Sequence, residues 1–332
     1  MQIRINKPGL LSTVQDLGRF KYLANGVPVS GAMDKLSAAI ANIACGNDMN
    51  DAVIEFTYAD ATFTAENDLI VAYCGGGLNF KVEGRVLPTG KPIFIPKGTA
   101  ITSIPETEGC RTYLAIAGGW DVPVVMGSKS TCLVAGFGGY HGRVIKKGDA
   151  LKAIGYKSEL SEAILIALKG RDIKCANWSI ARDMFAPADT KLIRVVPGPE
   201  FTRFDATSIL NFLSLPYTLT PESNRMGYRL AGEKLVSTNK AEMISTAVTP
   251  GTIQVANDGS PILLMGDCQT TGGYPRIAQV TAVDLPLCAQ LKPGDNIYFK
   301  EISRHEAEML YLERHEELKQ LQLAIKTKYL PG

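Results

Sequence analysis

The sequence predicts a mainly β protein with some α content, arranged as two β-rich halves and a C-terminal helix. Three observations predict it. From about Val53 to about Leu151, short apolar runs are broken by Gly, Pro, Asn and Asp at the spacing of a compact sandwich or barrel. The run Ile145-Lys146-Lys147-Gly148-Asp149 returns as Leu291-Lys292-Pro293-Gly294-Asp295, each followed by an apolar-rich strand candidate, as in a duplicated β-domain. The end of the chain carries a helical pattern behind the capping box Ser303-x-x-Glu306. At 332 residues the chain exceeds one usual core, and the expected division is 1–190, 191–302, and a helix and tail over 303–332.

In chain order, Met1 to Pro8 alternates polar and apolar residues as a strand does. The loop Gly26 to Asp34, set by Pro28 and two glycines, leads into a helix. Asp34 is its N-cap candidate, Leu36, Ala39, Ile40, Ile43 and Ala44 form an apolar stripe, and Gly46-Asn47 ends it. Such an N-terminus can hold an anion, so Asp34 either only caps or also meets a ligand. Strands are expected over Asp68–Cys74, Lys81–Val86, Pro92–Ile95, Ala100–Ile104 and Arg111–Ala117. Glu55 stands alone among apolar neighbours; a buried paired carboxylate and a solvent-facing strand position both explain it, and the second is the commoner case. Ser158 to Gly170 fits helix or strand, and Asn177 to Thr190 reads as a linker. Further on, Leu192–Val196, Thr252–Ala256 and Pro261–Met265 read as strands, the last two joined by a turn at Asn257-Asp258-Gly259. The final helix, about Arg304 to about Thr327, places Tyr311, Leu318, Leu321 and Ile325 on one face.

Composition narrows the function classes. An apolar share of 45% with 20% charged residues suits a folded globular chain. A net charge of +2 without a polybasic run argues against nucleic acid or anionic lipid as partner. No apolar run reaches the ~18 residues of a membrane span, and the N-terminus lacks a signal-peptide core, so a cytoplasmic protein is expected. Seven scattered cysteines without a C-x-x-C pair read as reduced and buried; Cys268 is read as packing rather than a nucleophile, since no histidine lies nearby in sequence. Three dispersed histidines give no zinc spacing, and no structural metal is expected.

The chemistry-bearing residues gather in a few segments. Asn224, Arg225 and Arg229 supply an amide and two forked donors suited to a carboxylate or phosphate. Asp267, Gln269, Thr270, Gly273 and Tyr274 follow in a run where glycines let a ligand approach backbone N–H groups. Ser128, Lys129 and Ser130, with the Gly-rich loop holding Gly139 and Arg143, resemble a phosphate cradle. It is not a P-loop, because Ser128 stands where the motif needs glycine. Ser30 lies in the loop before Asp34.

Read together, these segments resemble the family that includes the 5-oxoprolinase C subunit and the carboxyltransferase region of urea carboxylase, also described as allophanate hydrolase subunit 2 or kinase-inhibitor antagonist proteins. The matching stretches are Val14 to Arg19, Gly26 to Asp34, Tyr113 to Gly119, Gly127 to Thr131, Gly138 to Arg143, Asn224 to Leu230 and Asp267 to Pro275, over roughly residues 3 to 300. Lys129 departs from the arginine expected there, keeping charge and losing bidentate geometry. The resemblance implies two cyclophilin-like β-barrel domains with a site in the cleft between them.

It further implies one component of a multi-chain, ATP-dependent 5-oxoprolinase, with ATP and Mg as its counter-ion. Its partners would be an allophanate hydrolase subunit 1-like protein (the 5-oxoprolinase B subunit) and a third chain (the 5-oxoprolinase A subunit). In that reading Asp267, Arg225, Arg229 and Asp34 are catalytic. Ser30, Ser128, Lys129, Ser130, Gly139, Arg143, Asn224, Gln269, Thr270, Gly273 and Tyr274 bind substrate or phosphate. The alternative is a biotin-dependent carboxyltransferase acting on urea or a related amide, with biotin on a separate chain because no Ala-Met-Lys-Met motif is present. A second alternative is a non-catalytic regulatory partner of a kinase inhibitor.

Overall fold

The computed structural model describes residues 1–58, 60–156, 158–185, 191–238 and 243–330. Contacts group the chain into two compact units: Met1–Gly18, Asp34–Pro187 and Glu316–Gly332 form the first, Arg19–Met33 and Ala188–His315 the second. The expected mainly β architecture and C-terminal helix are both present.

In the first unit two sheets enclose one core; burial alternates along strands such as Ala61–Ala65 and Leu78–Val82 of one sheet, while Val53–Thr57, Leu69–Gly75 and Arg111–Ile116 of the other are buried throughout. One six-stranded sheet runs Ala150–Lys152, Gln2–Pro8, Ala61–Ala65, Ala100–Pro105, Leu78–Val82, Arg85–Val86. The other, also six-stranded, runs Lys174–Cys175, Ile93–Ile95, Leu69–Gly75, Arg111–Ile116, Val53–Thr57, Leu11–Gln15. Phe80 anchors the core between them, with Phe56, Phe63 and Tyr73 edge-on at ring distances of 5.6, 5.4 and 4.9 Å. The single run expected over Lys81–Val86 is a tight hairpin, with Glu83 and Gly84 at positive φ between its strands.

Helix α1 (Lys35–Ala44) packs on strands Leu69–Gly75 and Arg111–Ile116 and ends at Gly46, φ +73°. Ser158 caps α2 (Glu159–Leu168) in a reciprocal box with Ser161, which settles Ser158–Gly170 as helix. Glu55 is 1% exposed and accepts a 2.8 Å hydrogen bond from Tyr113, so the rarer of its two readings is observed. The linker expected over 177–190 contains a 3-10 turn at Arg182–Met184, and its stretch 186–190 lies outside the described residues.

In the second unit the strands close into a barrel. Its order is Leu192–Pro197, Arg276–Val280, Thr252–Val255, Pro261–Leu264, Gly227–Ala231, Tyr217–Leu219, Asn296–Glu301. A parallel pairing of Leu192–Val195 with Tyr298–Glu301 completes the circle. The turn expected at residues 257–259 joins its two strands, with Gly259 at φ +82°. Helix α3 (Ala206–Ser214), capped by Asp205, stacks Phe212 on Phe299 at 4.6 Å, and the short α4 (Leu285–Ala289) follows the barrel strand Arg276–Val280. Residues Arg19–Met33 join this unit because Met33 packs into the barrel core and the Gly31 carbonyl accepts from Arg225.

Helix α5 (Arg304–Tyr329) begins at the expected box, with Glu306 N–H donating to Ser303 Oγ at 3.1 Å and Ser303 N–H to Glu306 at 2.8 Å. Ile325 is buried and Trp178 bonds the Tyr329 hydroxyl at 3.1 Å, fixing the end of the helix in the first unit. Tyr311, on the expected face, is 54% exposed and borders an open groove of about 570 Å³ along the barrel. No described helix is long and apolar enough to cross a membrane.

Candidate functional site

In the first unit a polar knot forms around Asp16, at the end of strand Leu11–Gln15. Its carboxylate accepts from Ser128 Oγ at 2.8 Å, from the Lys129 N–H at 2.6 Å, from the Gly18 N–H at 2.8 Å and from Ser130 Oγ. Ser128, Ser130 and Asp16 are all buried. These two serines therefore spend their hydroxyl protons on Asp16, while Lys129 sends Nζ towards the Trp120 carbonyl at 3.4 Å. Lys35, at the first position of α1, has its pKa pulled down to about 8 by burial, against the opposing field of Asp16. Asp34 caps α1, one oxygen accepting from the Ser37 N–H at 2.8 Å and the other from its hydroxyl at 2.6 Å. Below it, the Asp34 N–H donates to Tyr113 and Tyr113 to Glu55, a buried chain tying the helix start to the sheet.

The Gly-rich loop is a separate feature of this unit, bordering a pocket of about 400 Å³. Gly139 and Gly142 have positive φ, and a Cβ on either would fall 1.9 Å from Thr131 Oγ1 or 2.1 Å from the Gly136 carbonyl. Close packing thus requires both glycines. Arg143 forks onto Asp149 at 2.7 and 2.9 Å, and that contact draws the Asp149 pKa below the usual carboxylate range.

In the second unit Arg225 and Asp267 meet across 42 residues of sequence. The guanidinium donates to Asp267 at 2.8 and 3.2 Å and to the Gly31 carbonyl at 2.7 Å. Beside this lock, Ser30 is fully buried at φ +53°, and its hydroxyl has no hydrogen-bond partner among the described residues. Asn224 accepts from the Met226 N–H at 2.8 Å and so shapes its own turn. Thr270, half-buried, accepts through its carbonyl from the Val248 N–H. Cys268 packs with Val248 and Leu264, and burial raises its thiol pKa to about 12, in keeping with a packing role.

Gln269, Gly273 and Tyr274 come together on the wall of a cavity of about 810 Å³, which Arg203 also lines. Arg229 does not join them and borders a smaller pocket of about 250 Å³ with Glu222. Sequence reading missed Lys35 and Arg203 as individuals and the part played by Asp16. Asp16 sat inside a recognised motif, whereas nothing local marks Lys35 or Arg203. Among the described residues, no group of three or more His, Cys, Asp or Glu side chains is placed to hold a metal.

The chain is similar to known proteins over most of its length. A family model described as the carboxyltransferase domain, subdomains A and B, matches residues 25–301. The chain is 38% identical over 305 residues to the 5-oxoprolinase C subunit of Escherichia coli K12, covering 92% of this chain and 93% of that protein. It is 33% identical to the 5-oxoprolinase C subunit of Haemophilus influenzae, covering 90% and 91%. Urea amidolyase of Saccharomyces cerevisiae is 31% identical over 91% of this chain, which spans only 17% of that protein. Among solved structures, Kluyveromyces lactis urea carboxylase superposes with a TM-score of 0.86 at 27% identity, over 96% of this chain and 29% of that one.

Proposed function

The chain belongs to the carboxyltransferase-domain family, subdomains A and B, and on that premise we propose that it is one component of an ATP-dependent 5-oxoprolinase, which opens 5-oxo-L-proline to L-glutamate as ATP is hydrolysed. The observation that carries the reading is the match to two relatives named as the C subunit of 5-oxoprolinase, at 38% and 33% identity over nine-tenths of their length. A lactam is a poor electrophile, and transfer of a phosphoryl group to its oxygen makes the ring carbon open to attack by water. Mg would enter as the counter-ion of the nucleotide. The partners would be an allophanate hydrolase subunit 1-like chain (the B subunit) and a third chain (the A subunit).

The proposed roles follow the geometry. Arg225 and Asp267 hold each other, Arg225 also holds the Gly31 carbonyl, and the part of the pair is to fix the segments carrying Asn224 and Gln269. Asp34 positions the start of α1, whose N-terminal end favours negative charge. Arg229 and Gln269, both exposed, and the half-buried Thr270 are the groups offered to substrate or phosphate.

One observation favours a second reading, a biotin-dependent carboxyltransferase acting on urea or a related amide. The urea carboxylase structure covers 96% of this chain with a TM-score of 0.86. A single assay separates the two: glutamate release from 5-oxoproline with MgATP, using this chain and both partner chains, each omitted in turn. Activity in the full mixture alone supports the 5-oxoprolinase. An inactive full mixture that consumes carboxybiotin when urea is added replaces it with the carboxyltransferase.

A further inference from the structure

We infer that the 810 Å³ cavity of the second unit binds a small anionic molecule carrying an amide-like edge, with Arg203 as the anchor for its carboxylate or phosphate. Arg203 ends the 3-10 turn Phe201–Arg203, and its carbonyl accepts from the Thr238 N–H and hydroxyl, both at 2.8 Å. This fixes its backbone at the cavity wall. Arg203 is half-buried as a residue, and its guanidinium has no hydrogen bond or ion pair among the described residues. Its neighbour Glu200 lies within its electrostatic field but forms its ion pair with Arg276, through contacts of 2.8 Å to each carboxylate oxygen.

The other charges lining the cavity cancel, since Lys234 pairs with Asp258 at 2.9 Å. What remains among the described residues lining the cavity is one residue, Arg203, whose positive charge has no ion pair, on the wall of a concave space of ligand size. The rest of the wall suits a planar body. Tyr274 and Pro275 offer flat apolar faces, and the side-chain amides of Gln269 and Asn257 make no hydrogen bond among the described residues. A guanidinium without an ion pair, spare amides and an aromatic face select an anion joined to a group with amide-type donors and acceptors. Both 5-oxo-L-proline and the phosphates and base of ATP have this chemistry. The choice between them rests on the proposed function; the anion site itself does not.

Isothermal titration of the full chain with 5-oxo-L-proline, MgATP and inorganic phosphate, each alone, distinguishes the sources. The expected result is that at least one binds and that Arg203→Ala weakens it by about 10- to 100-fold. Arg203→Lys should retain part of the affinity, and Arg171→Ala, which removes the same charge from an exposed site in the first unit, should retain all of it. Matching thermal melts of Arg203→Ala and wild type keep the comparison free of folding effects. Equal binding by Arg203→Ala and wild type, or no binding of any probe to wild type, overturns the inference. Glutamate release by the reconstituted complex is scored separately. An active complex whose KM values for both substrates ignore Arg203→Ala defeats the cavity and leaves the function standing. An inert complex whose free chain binds MgATP through Arg203 does the reverse.

Discussion

Asp16 in the first unit and Asp267 in the second are each 3% exposed, and they are satisfied by different chemistry. Asp16 accepts hydrogen bonds from two hydroxyls and two backbone N–H groups contributed by short stretches of chain, with the Lys35 ammonium in its field. Asp267 faces one guanidinium, which also holds the Gly31 carbonyl. The first arrangement is distributed, so losing one donor leaves three. The second is concentrated, so losing Arg225 strands a charge away from water. The candidate residues of the first unit therefore have a robust support and those of the second a brittle one, and substitutions can tell the two apart.

The largest effect is expected at the brittle support. Arg225→Met should destabilise by about 3–5 kcal/mol in urea unfolding, because Asp267 is left buried and unpaired. The double variant Arg225→Met/Asp267→Leu should recover most of that loss. A single variant costing less than about 1 kcal/mol, or a double variant no better than the single, would break the comparison.

Lys35 gives a pH-dependent effect beside the robust support. Burial lowers its pKa in the folded protein to about 8 from 10.5, so between those values the unfolded chain binds more protons than the folded one. Stability should therefore rise with pH across that window, by up to about 2–3 kcal/mol, and Lys35→Met should flatten the rise. Parallel stability–pH curves for the two proteins would show that the lysine is well solvated. The smallest effect is expected from Ser130→Ala, about 1–2 kcal/mol, since Asp16 keeps three donors. A loss as large as that of Arg225→Met would mean the Asp16 knot is no more distributed than the ion pair.

What the sequence made legible follows the range of each signal. Caps and turns are local, and Asp34, Ser303–Glu306 and the turn at 257–259 stand where their residue types place them. The pairing of Arg225 with Asp267 spans 42 residues, and both were singled out as reactive groups with no hint that they engage each other. Glu55 looked like a surface residue because strand alternation does not reveal that Tyr113 and Arg111 lie opposite and nearby inside the sheet. Tyr311 fits a helical stripe, yet a stripe does not say whether the facing surface is flush or grooved. Arg203 belongs to no motif. Its significance comes from Glu200 being taken by Arg276, a fact of tertiary packing alone.

The most direct test of the proposed activity follows ADP and glutamate together in the reconstituted complex supplied with 5-oxo-L-proline and MgATP, with and without this chain. The account predicts that both products appear in equal amounts only when the chain is present. Glutamate formed at an undiminished rate in its absence would contradict it.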